Sequence, residues 1–289
     1  MNGKTVIVTG ATNGIGEITA LELARQGAEV VVVSRSKAKL ENTVNKIKSE
    51  TGNQDVSYIQ GDLSSLAEIR QVADEFLQTH NRLDVLVNNA GAYFSNRQES
   101  VDGNEMTFAL NHLNYFLLTN LLLDVLKQTA QETGDARIVN VSSAAHSGSK
   151  VNFDDIQANN GYSGFGRYGE SKLMNLLFTY ELAQQLEGTN VTANALHPGF
   201  VNTGFGMNNG GWMSKILGVL QSVVAISPEK GAETNIYLAS SPEVRGISGK
   251  YWDKKAQKKS SDASHDTQAQ KRLWQISEDL VGMRSAEQV

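Results

Sequence analysis

The chain of 289 residues contains no cysteine. Disulfide bonds, a thiolate nucleophile, cysteine-ligated zinc and iron–sulfur clusters are therefore excluded. Proline is scarce, with three residues in the whole chain, and we find no internal repeat or low-complexity linker. Acidic residues exceed basic residues by 31 to 26, so the net charge is −5. This balance argues against a nucleic-acid partner, because such proteins usually carry a basic excess.

Long apolar runs are also missing. The most apolar stretch, Tyr115–Leu126, is interrupted by Asn120 and Asp124 and falls short of the ~20 apolar residues that a membrane-spanning helix needs. Between Met1 and the apolar run Thr5–Val8 there is no charged region followed by an apolar segment, as a secretory signal would have. We therefore expect no membrane span and a cytoplasmic location.

Short runs rich in Val and Ile alternate with helical patterns. The predicted strands are Thr5–Val8, Glu29–Val33, Val56–Ile59, Val85–Val87, Arg137–Val141 and Val191–Ala195. The predicted helices are Ile15–Gln26, Lys37–Glu50, Leu66–Thr79, Met106–Glu132 and Tyr168–Glu187. Continuous apolar strands are typical of a sheet covered on both faces. With right-handed crossovers, this alternation predicts an α/β fold with one doubly wound, parallel, Rossmann-like sheet flanked by helices.

The C-terminal part has a pattern of its own. Tyr251 and Trp252 are predicted to form a final strand, and the polar stretch Lys254–Ser264 to be a solvated surface segment. The apolar spacing of Gln268–Val281 predicts an amphipathic helix that docks on the body. We expect a single domain over residues 1–289, with a core to about residue 250 and a helical tail over 251–289.

A glycine-rich turn follows the first strand. It reads Thr9-Gly10-Ala11-Thr12-Asn13-Gly14-Ile15-Gly16, with the spacing G-x-x-x-G-x-G, and a helix follows. Such a turn lets backbone N–H groups approach a phosphate, while the helix N-terminus favours negative charge. A turn without a ligand remains the alternative at this point.

The end of the second strand indicates which nucleotide the chain prefers. An Asp or Glu there binds the ribose 2′-OH of NAD. Here the strand instead runs into Ser34-Arg35-Ser36, without a carboxylate. The planar, bidentate guanidinium of Arg35 suits a 2′-phosphate. This pattern favours NADP(H) over NAD(H), unless Arg35 is merely exposed.

Further motifs follow in order along the chain. They are Gly61-Asp62-Leu63, Asn88-Asn89-Ala90-Gly91, Leu110-Asn111-His112, Ser142-Ser143, Tyr168-Gly169-Glu170-Ser171-Lys172 and Pro198-Gly199. Together with the glycine-rich turn, and in this order, they resemble the short-chain dehydrogenase/reductase family over roughly the first 250 residues.

Within that family the chain most resembles the retinol-dehydrogenase-like branch. The stretches that carry this likeness are Arg137–His146, Asn152–Asp155, His197-Pro198-Gly199 and Arg272-Leu273-Trp274. This chain departs from the relatives in two respects. Many vertebrate members have an N-terminal membrane anchor, and we expect none here. The related protochlorophyllide reductases rely on cysteines near the substrate, and this chain has no cysteine. Both departures concern the substrate rather than the fold.

The resemblance implies a cofactor site and a catalytic set. The implied cofactor-binding residues are Gly10, Thr12, Asn13, Gly14, Ile15, Gly16, Ser34, Arg35, Asp62, Leu63, Asn89, Ala90, Gly91, Tyr168, Lys172, Pro198, Gly199, Val201 and Thr203. The implied catalytic residues are Asn111, Ser143, Tyr168 and Lys172.

Tyr168 and Lys172 suit proton transfer coupled to hydride transfer. A free tyrosine has a pKa of about 10, too high for a good base at neutral pH, and a nearby cation lowers it. The two residues are four apart on a predicted helix and so share one face. A second Tyr-x-x-x-Lys, Tyr251 to Lys255, lies in a polar, non-periodic stretch and is rejected.

A serine hydroxyl is expected to hold the substrate oxygen. Ser142 and Ser143 both end the fifth strand, and successive strand residues face opposite ways, so only one can face the nicotinamide. The position of the family's serine matches Ser143. Also by resemblance, Asn111 holds a water that links Lys172 to solvent; the alternative is an amide that only packs a helix.

Metal and hydrolase chemistry find no support. The five histidines, His80, His112, His146, His197 and His265, form no H-x-x-x-H pattern, so we predict no metal site. For His112 and His146 a structural role is favoured over a place at the pocket. No G-x-S-x-G turn is present.

The substrate is expected to be lipophilic. In the family the segment after the Pro-Gly motif closes over the pocket, and here it carries Phe205, Met207 and Trp212 among glycines, with Tyr93 and Phe94 placed to line the same mouth. Aromatic and Met side chains give adaptable apolar contact. The alternative is that Ile216–Val224 forms a packed helix that touches no substrate.

These observations lead to one favoured function and two alternatives. The favoured function is an NADP(H)-dependent oxidoreductase that interconverts a lipophilic aldehyde or ketone and its alcohol, with Tyr168 as acid/base. The alternatives are a C=C reductase of the protochlorophyllide-reductase type and an NADP-binding sensor or scaffold without turnover. By resemblance we also expect a homodimer or homotetramer through the helices at Met106–Glu132 and Tyr168–Glu187, unless the tail covers them.

Overall fold

The computed structural model describes residues 1–199 and 227–283. Its strands are Thr5–Thr9 (β1), Glu29–Ser34 (β2), Val56–Gln60 (β3), Val85–Asn88 (β4), Ala136–Val141 (β5), Val191–His197 (β6), Tyr251–Asp253 (β7) and Ala256–Lys258 (β8). In the described part of the chain they form one sheet in the order β3-β2-β1-β4-β5-β6-β7-β8. All pairs are parallel except β7 with β8, which is antiparallel.

Helices connect the parallel strands, and one more helix follows β8. They are Gly14–Arg25 (α1), Lys37–Thr51 (α2), Leu66–Thr79 (α3), Met106–Phe108 (α4), Asn114–Leu121 (α5), Leu123–Thr133 (α6), Gly164–Gln185 (α7), Pro228–Ser240 (α8) and Thr267–Val281 (α9). Single 3-10 turns lie at Ala144–His146, Phe153–Asp155, Pro242–Val244 and Asp262–His265.

The sheet is buried on both faces, which explains its unbroken Val and Ile runs. Val6 and Val8 of β1 pack into a cluster that includes Leu23 of α1 and Leu238 of α8. Ile7, between them in sequence, packs on the other face into the cluster of α3, α5, α7 and α9. Because successive side chains point to opposite faces, both sets of positions must be apolar. The predicted doubly wound α/β fold is therefore confirmed.

The strand order creates a crevice at one edge of the sheet. From β1 the chain proceeds outward to β2 and β3, and then returns through α3 to β4 on the other side of β1. The loops after β1 and β4 therefore leave the sheet in opposite directions. In such sheets, ligands bind in the crevice at the carboxyl ends of the strands on either side of this reversal.

The prediction of one long helix over Met106–Glu132 is wrong. Between α4 and α5 lies a π-helical turn, Ala109–Leu113, in which Asn114 N–H donates to Ala109 O. A second break at Leu122, with φ −99° and ψ 5°, separates α5 from α6. The apolar pattern continues through both breaks, so it does not reveal them.

The helix predicted at Tyr168 begins four residues earlier. The hydroxyl of Ser163 accepts a hydrogen bond from Gly166 N–H and caps α7. The final strand at Tyr251 is confirmed, and it extends the sheet into the tail. The expected tail helix is α9, where Trp274 packs on Phe116 and Phe178 at centroid distances of 4.9 and 5.8 Å.

Candidate active site

The glycine-rich turn leaves the first turn of α1 open at its N-terminus. Gly10 and Gly14 both adopt positive φ, +64° and +54°, which L side chains rarely adopt. Asn13 precedes α1 without a capping hydrogen bond from its side chain, so that side chain caps none of the first backbone N–H groups. A Cβ on Gly16 would lie 2.4 Å from Asn89 Nδ2, so only glycine fits there. An uncapped helix start behind a glycine-rich turn fits a nucleotide diphosphate.

The asparagines after β4 hold this turn from behind. Asn89 Nδ2 donates to Thr9 O at 2.9 Å and to Gly10 O at 3.3 Å. The Thr9 hydroxyl in turn accepts from the backbone N–H groups of Asn89 and Ala90. Asn88 joins the sheet interior by donating to Thr119 and Asn140. The motif therefore ties the two edges of the crevice together.

The predicted 2′-phosphate region gathers hydroxyls and cations. The hydroxyls of Thr12 and Ser34 lie 3.2 Å apart, across the ends of β1 and β2. Arg35 is exposed beside them. The first turn of α2 carries Lys37 and Lys39 and no acidic residue, although a helix N-terminus disfavours cations.

The predicted adenine edge lies after β3. The Asp62 carboxylate accepts from Ser64 N–H at 2.9 Å and from the Ser64 hydroxyl at 2.7 Å, through one oxygen, Oδ1. The neighbouring Leu63 is buried. These contacts orient the carboxylate at the crevice edge.

The two serines at the end of β5 face opposite ways, as the strand geometry requires. Ser142 is 1% exposed, and its hydroxyl donates to Lys172 O at 2.8 Å, behind the crevice. Ser143 accepts from Ala145 N–H at 3.2 Å, and its hydroxyl is near enough to the phenol of Tyr168 to lower the pKa of that group. Of the two serines, Ser143 is therefore the one whose hydroxyl meets Tyr168.

Tyr168 and Lys172 lie one turn apart on α7, with Tyr168 half-buried and Lys172 buried. Lys172 Nζ is 5.6 Å from the centroid of the Tyr168 ring and donates to Val141 O at 3.0 Å. Burial raises the pKa of Tyr168 to about 12, against a small opposing effect of the Ser143 hydroxyl. Burial also lowers the pKa of Lys172 to about 7. In the polypeptide alone, the pKa of Tyr168 is thus raised, whereas its spacing from Lys172 predicts a lowered pKa. The reason is that desolvation of the phenol dominates.

Asn111 lies within the π-helical turn. Its amide accepts from Ala92 N–H at 2.8 Å and donates to Ala92 O at 2.9 Å and to the Ser171 hydroxyl at 3.0 Å. A Cβ on Gly91 would lie 3.1 Å from Asn111 Oδ1 and 3.5 Å from Lys172 Nζ. The glycine therefore lets both polar atoms approach the backbone closely. Single π turns often occur at functional sites.

The pocket residues after β4 border the same centre. The ring of Tyr93 packs edge-on against Tyr168, with centroids 6.5 Å apart, and against Phe165 at 5.0 Å. Phe94 is half-buried, and its carbonyl accepts from the Tyr162 hydroxyl. Phe165 is 61% exposed and was not predicted as a pocket residue.

Several predicted residues lie outside the described ranges. They are Val201 and Thr203 of the cofactor set, Phe205, Met207 and Trp212 of the pocket, and the helix expected at Ile216–Val224. Pro198 and Gly199, which precede them, are described. Gly199 N–H donates to Nδ1 of His197 at 3.4 Å.

Two histidines brace the turn that carries Ser143. Nδ1 of His197 accepts from Ala144 N–H at 3.1 Å. Nδ1 of His146 lies 2.6 Å from Ser143 O. Burial lowers the pKa of both imidazoles, more so than neighbouring groups raise it. Sequence analysis used His197 only as part of the family likeness and did not predict that it braces the Ser143 turn, because that contact joins residues 53 positions apart.

A buried ion pair next to Tyr168 was also missed. Arg167 Nε donates to Glu105 Oε2 at 2.7 Å, and its guanidinium also pairs with Glu170 at 2.9 Å. The Glu105 carboxylate accepts from Thr107 N–H and Phe108 N–H, so it also caps α4. The pair thus ties the start of the helix that leads to Asn111 to the residue before Tyr168.

Two further findings on the described residues concern metal binding and membrane crossing. Within residues 1–199 and 227–283, no group of three or more His, Cys, Asp or Glu side chains is arranged to hold a metal ion. In the same ranges, none of the helices has both the length and the apolar character that a membrane crossing requires.

Comparison with known proteins identifies relatives of this arrangement. A family model described as short chain dehydrogenase matches residues 4–214. Human Retinol dehydrogenase 14 is 41% identical over 98% of this chain and 88% of its own length. Human Polyprenol dehydrogenase is 40% identical over 97% of this chain and 86% of its own length.

A solved structure shares the fold closely. The Pseudomonas aeruginosa RhlG/NADP active-site complex is 27% identical and superposes with a TM-score of 0.69, covering 87% of this chain and 94% of that chain. The family model and the human relatives span the residues that build the glycine-rich turn, the Ser143 turn and α7.

Proposed function

The chain belongs to the short chain dehydrogenase family, an oxidoreductase family acting on CH–OH groups, and we propose that it is an NADP(H)-dependent member that interconverts a lipophilic aldehyde or ketone and its alcohol. The observation that carries this proposal is that Tyr168, with Lys172 Nζ 5.6 Å from its ring centroid, interacts with the Ser143 hydroxyl at the edge of the sheet where the glycine-rich turn also lies. A substrate oxygen placed against both hydroxyls would lie beside the crevice for the nucleotide.

Tyr168 serves as the acid in the direction of reduction. NADPH would supply the hydride, which adds to the carbonyl carbon, and the proton of the Tyr168 phenol passes to the carbonyl oxygen. With its pKa raised to about 12, the phenol is protonated at neutral pH, as an acid must be. In alcohol oxidation the same group takes the proton back.

Ser143 holds the substrate oxygen. Its hydroxyl oxygen already accepts from Ala145 N–H, which leaves the hydroxyl proton to point at the developing negative charge on the substrate. The turn is braced by His197, so this donor is preorganised.

Lys172 and Asn111 are proposed to resupply the proton. Their polar atoms both lie close to Gly91, and a water held by Asn111 would link Lys172 to solvent. Lys172, with a pKa of about 7, can exchange a proton with that water near neutral pH.

The preference for NADP(H) rests on Arg35 and its neighbours. Three cations, Arg35, Lys37 and Lys39, lie within five residues at the start of α2, where the helix dipole disfavours positive charge. An anion held there removes that cost, and a 2′-phosphate supplies it. The relative titled as an RhlG/NADP complex is consistent with this nucleotide.

The proposal of a lipophilic substrate rests on the apolar mouth formed by Tyr93 and Phe165 beside Tyr168. Two relatives, Retinol dehydrogenase 14 and Polyprenol dehydrogenase, are named after long apolar alcohols. Assembly as a homodimer or homotetramer and a cytoplasmic location both stay predictions, and α9 covers part of the α5 and α7 surface that was expected to pair.

The test is the loss of NADPH absorbance with a panel of aldehydes and ketones that includes retinal. Turnover of carbonyl compounds supports the proposal. Reduction of a conjugated C=C bond with the carbonyl left intact would instead identify a C=C reductase. Tight NADPH binding without turnover of any member of the panel, in either direction, would indicate a sensor or scaffold.

A further inference from the structure

We propose that His146 is a positioning residue that holds Ser143 in place and makes turnover depend on the C-terminal tail. This inference rests on the proposed function, because it concerns the hydroxyl that receives the substrate oxygen. It also makes a statement about the imidazole itself that can be tested without turnover.

Both nitrogens of His146 are committed to backbone partners. Nδ1 lies 2.6 Å from Ser143 O, and Nε2 accepts from Ser261 N–H at 3.2 Å. A carbonyl only accepts and an amide N–H only donates, so Nδ1 must carry the proton and Nε2 must be bare. The contacts therefore select the neutral Nδ1–H tautomer.

Burial and packing hold the imidazole of His146 in this orientation. His146 is 2% exposed, and its ring packs edge-on against Tyr251 of β7 with centroids 5.0 Å apart. The backbone N–H of His146 also donates to Ser143 O. Ser143 is thus held from both the main chain and the side chain of the same residue.

The partner in the tail is itself anchored on α7. The hydroxyl of Ser260, next to Ser261, lies 2.6 Å from the Tyr180 hydroxyl and 3.1 Å from Nε2 of His265. The His265 ring stacks on Tyr180 with centroids 5.0 Å apart. These contacts therefore fix the position of Ser261 relative to helix α7.

These contacts close a ring. Ser143 is tied through His146 to Ser261, the tail is tied to Tyr180, and Tyr180 lies on the same helix as Tyr168. Because Tyr168 in turn meets Ser143, the ring sets the separation of the two hydroxyls that must share one substrate oxygen. Misplacing reacting groups by a fraction of an ångström lowers the rate of the chemical step more than it lowers nucleotide binding.

Two substitutions separate the links at the imidazole. His146→Asn retains an N–H donor near the Nδ1 position and loses the link to Ser261. His146→Gln reaches the Nε2 position and loses the link to Ser143. Ser261→Pro removes the tail's N–H donor, and the φ of −60° at Ser261 suits proline.

The experiment measures kcat, KM for NADPH and thermal stability for the three variants and for the double variant His146→Asn with Ser261→Pro. Each single variant is expected to lower kcat by roughly ten-fold with little change in KM for NADPH. The double variant is expected to match His146→Asn, because both substitutions break the same link. His80→Gln, directly after α3 and away from the site, is the matched control and should leave kcat unchanged.

Three results would overturn the proposal. They are kcat values within about two-fold of the parent, effects of His146→Asn and Ser261→Pro that multiply, and a loss of stability unaccompanied by a loss of kcat. A parent without any turnover would defeat the proposed function instead. In that case the ¹⁵N spectrum of His146 still tests the positioning role of this residue. The Nδ1–H tautomer supports that role, and the Nε2–H tautomer refutes it.

Discussion

Nζ of Lys172 lies 5.6 Å from the centroid of the Tyr168 ring, and burial moves the pKa values of the two groups apart, to about 7 for the lysine and about 12 for the tyrosine. At neutral pH the lysine is therefore only partly charged, and the phenol is protonated. The pair is ready to deliver a proton rather than to remove one. Any lowering of the pKa of Tyr168 for alcohol oxidation must come from charge that arrives with the oxidised cofactor.

Replacing Tyr168 by Phe should abolish most turnover and spare nucleotide binding. Phe keeps the ring that packs against Tyr93 and removes only the hydroxyl. General acid catalysis typically contributes about 10²- to 10⁴-fold, so kcat should fall by at least about 10²-fold. The measurement is kcat together with the NADPH dissociation constant. Tyr237→Phe, whose hydroxyl donates to Glu243 on the surface, is the control, and a kcat of Tyr168→Phe close to that control would contradict the acid/base role.

Replacing Arg35 by Ala should weaken NADPH far more than NADH. A charge-assisted hydrogen bond to a phosphate contributes about 1.5–3 kcal/mol, so KM for NADPH should rise by roughly ten- to a hundred-fold while KM for NADH changes little. Arg35→Lys, which keeps the charge and loses the planar fork, should fall between the two. Equal effects on both nucleotides, or a parent that prefers NADH, would show that Arg35 does not read the 2′-phosphate.

The fold could be predicted because its signals are local. Each Val-rich run, such as Glu29–Ser34, is a strand buried on both faces, and the turn from Thr9 to Gly16 places its glycines where backbone must approach backbone. The choice between Ser142 and Ser143 needed the structure only to decide which way β5 faces the crevice.

The contacts that tune the site were beyond sequence reasoning because they join distant residues. Nε2 of His146 meets Ser261 across 115 positions, and Arg167 meets Glu105 across 62. The π-helical turn around Asn111 lies inside an unbroken apolar pattern, so periodicity gives one long helix instead. Nor does the one-turn spacing of a tyrosine and a lysine reveal that burial outweighs their mutual charge effect.

Lys172 should make the stability of the protein rise with pH. Its pKa is lowered from 10.5 to about 7 in the folded chain, so between these values the unfolded chain binds a proton that the folded chain does not. The free energy of unfolding should therefore increase with pH in this window, by at most about 1.4 kcal/mol per pH unit from this group. Urea unfolding at pH 7 and pH 9 should show Lys172→Met losing this increase. The half-buried Lys48→Met should keep it, and parallel pH profiles for the parent and Lys172→Met would contradict the shift.

The buried pair of Arg167 and Glu105 should matter for stability much more than a surface pair does. Removing the guanidinium by Arg167→Met leaves the Glu105 carboxylate buried without its cation, which costs about 3–5 kcal/mol. Adding Glu105→Gln should restore part of the loss, because no bare charge then remains. Lys230→Met, which breaks an exposed pair with Glu233, should cost no more than about 1 kcal/mol. Similar costs for Arg167→Met and Lys230→Met in urea unfolding would show that the buried pair is not the link we describe.

Phe165 should contact the apolar part of the substrate. It lies three residues before Tyr168 on α7, is 61% exposed, and packs its ring on Tyr93 5.0 Å away, so one of its faces is free at the mouth of the site. In the parent, each substrate methylene buried at the mouth should gain about 0.8 kcal/mol, or roughly a four-fold rise in kcat/KM. Phe165→Ala should reduce that rise per methylene across a homologous series of alkyl aldehydes while leaving the shortest member nearly unaffected. Leu77→Ala, an exposed apolar residue on α3, is the matched control. A series whose slope is the same in the parent, the control and Phe165→Ala would mean that the substrate's apolar chain leaves the site along another wall.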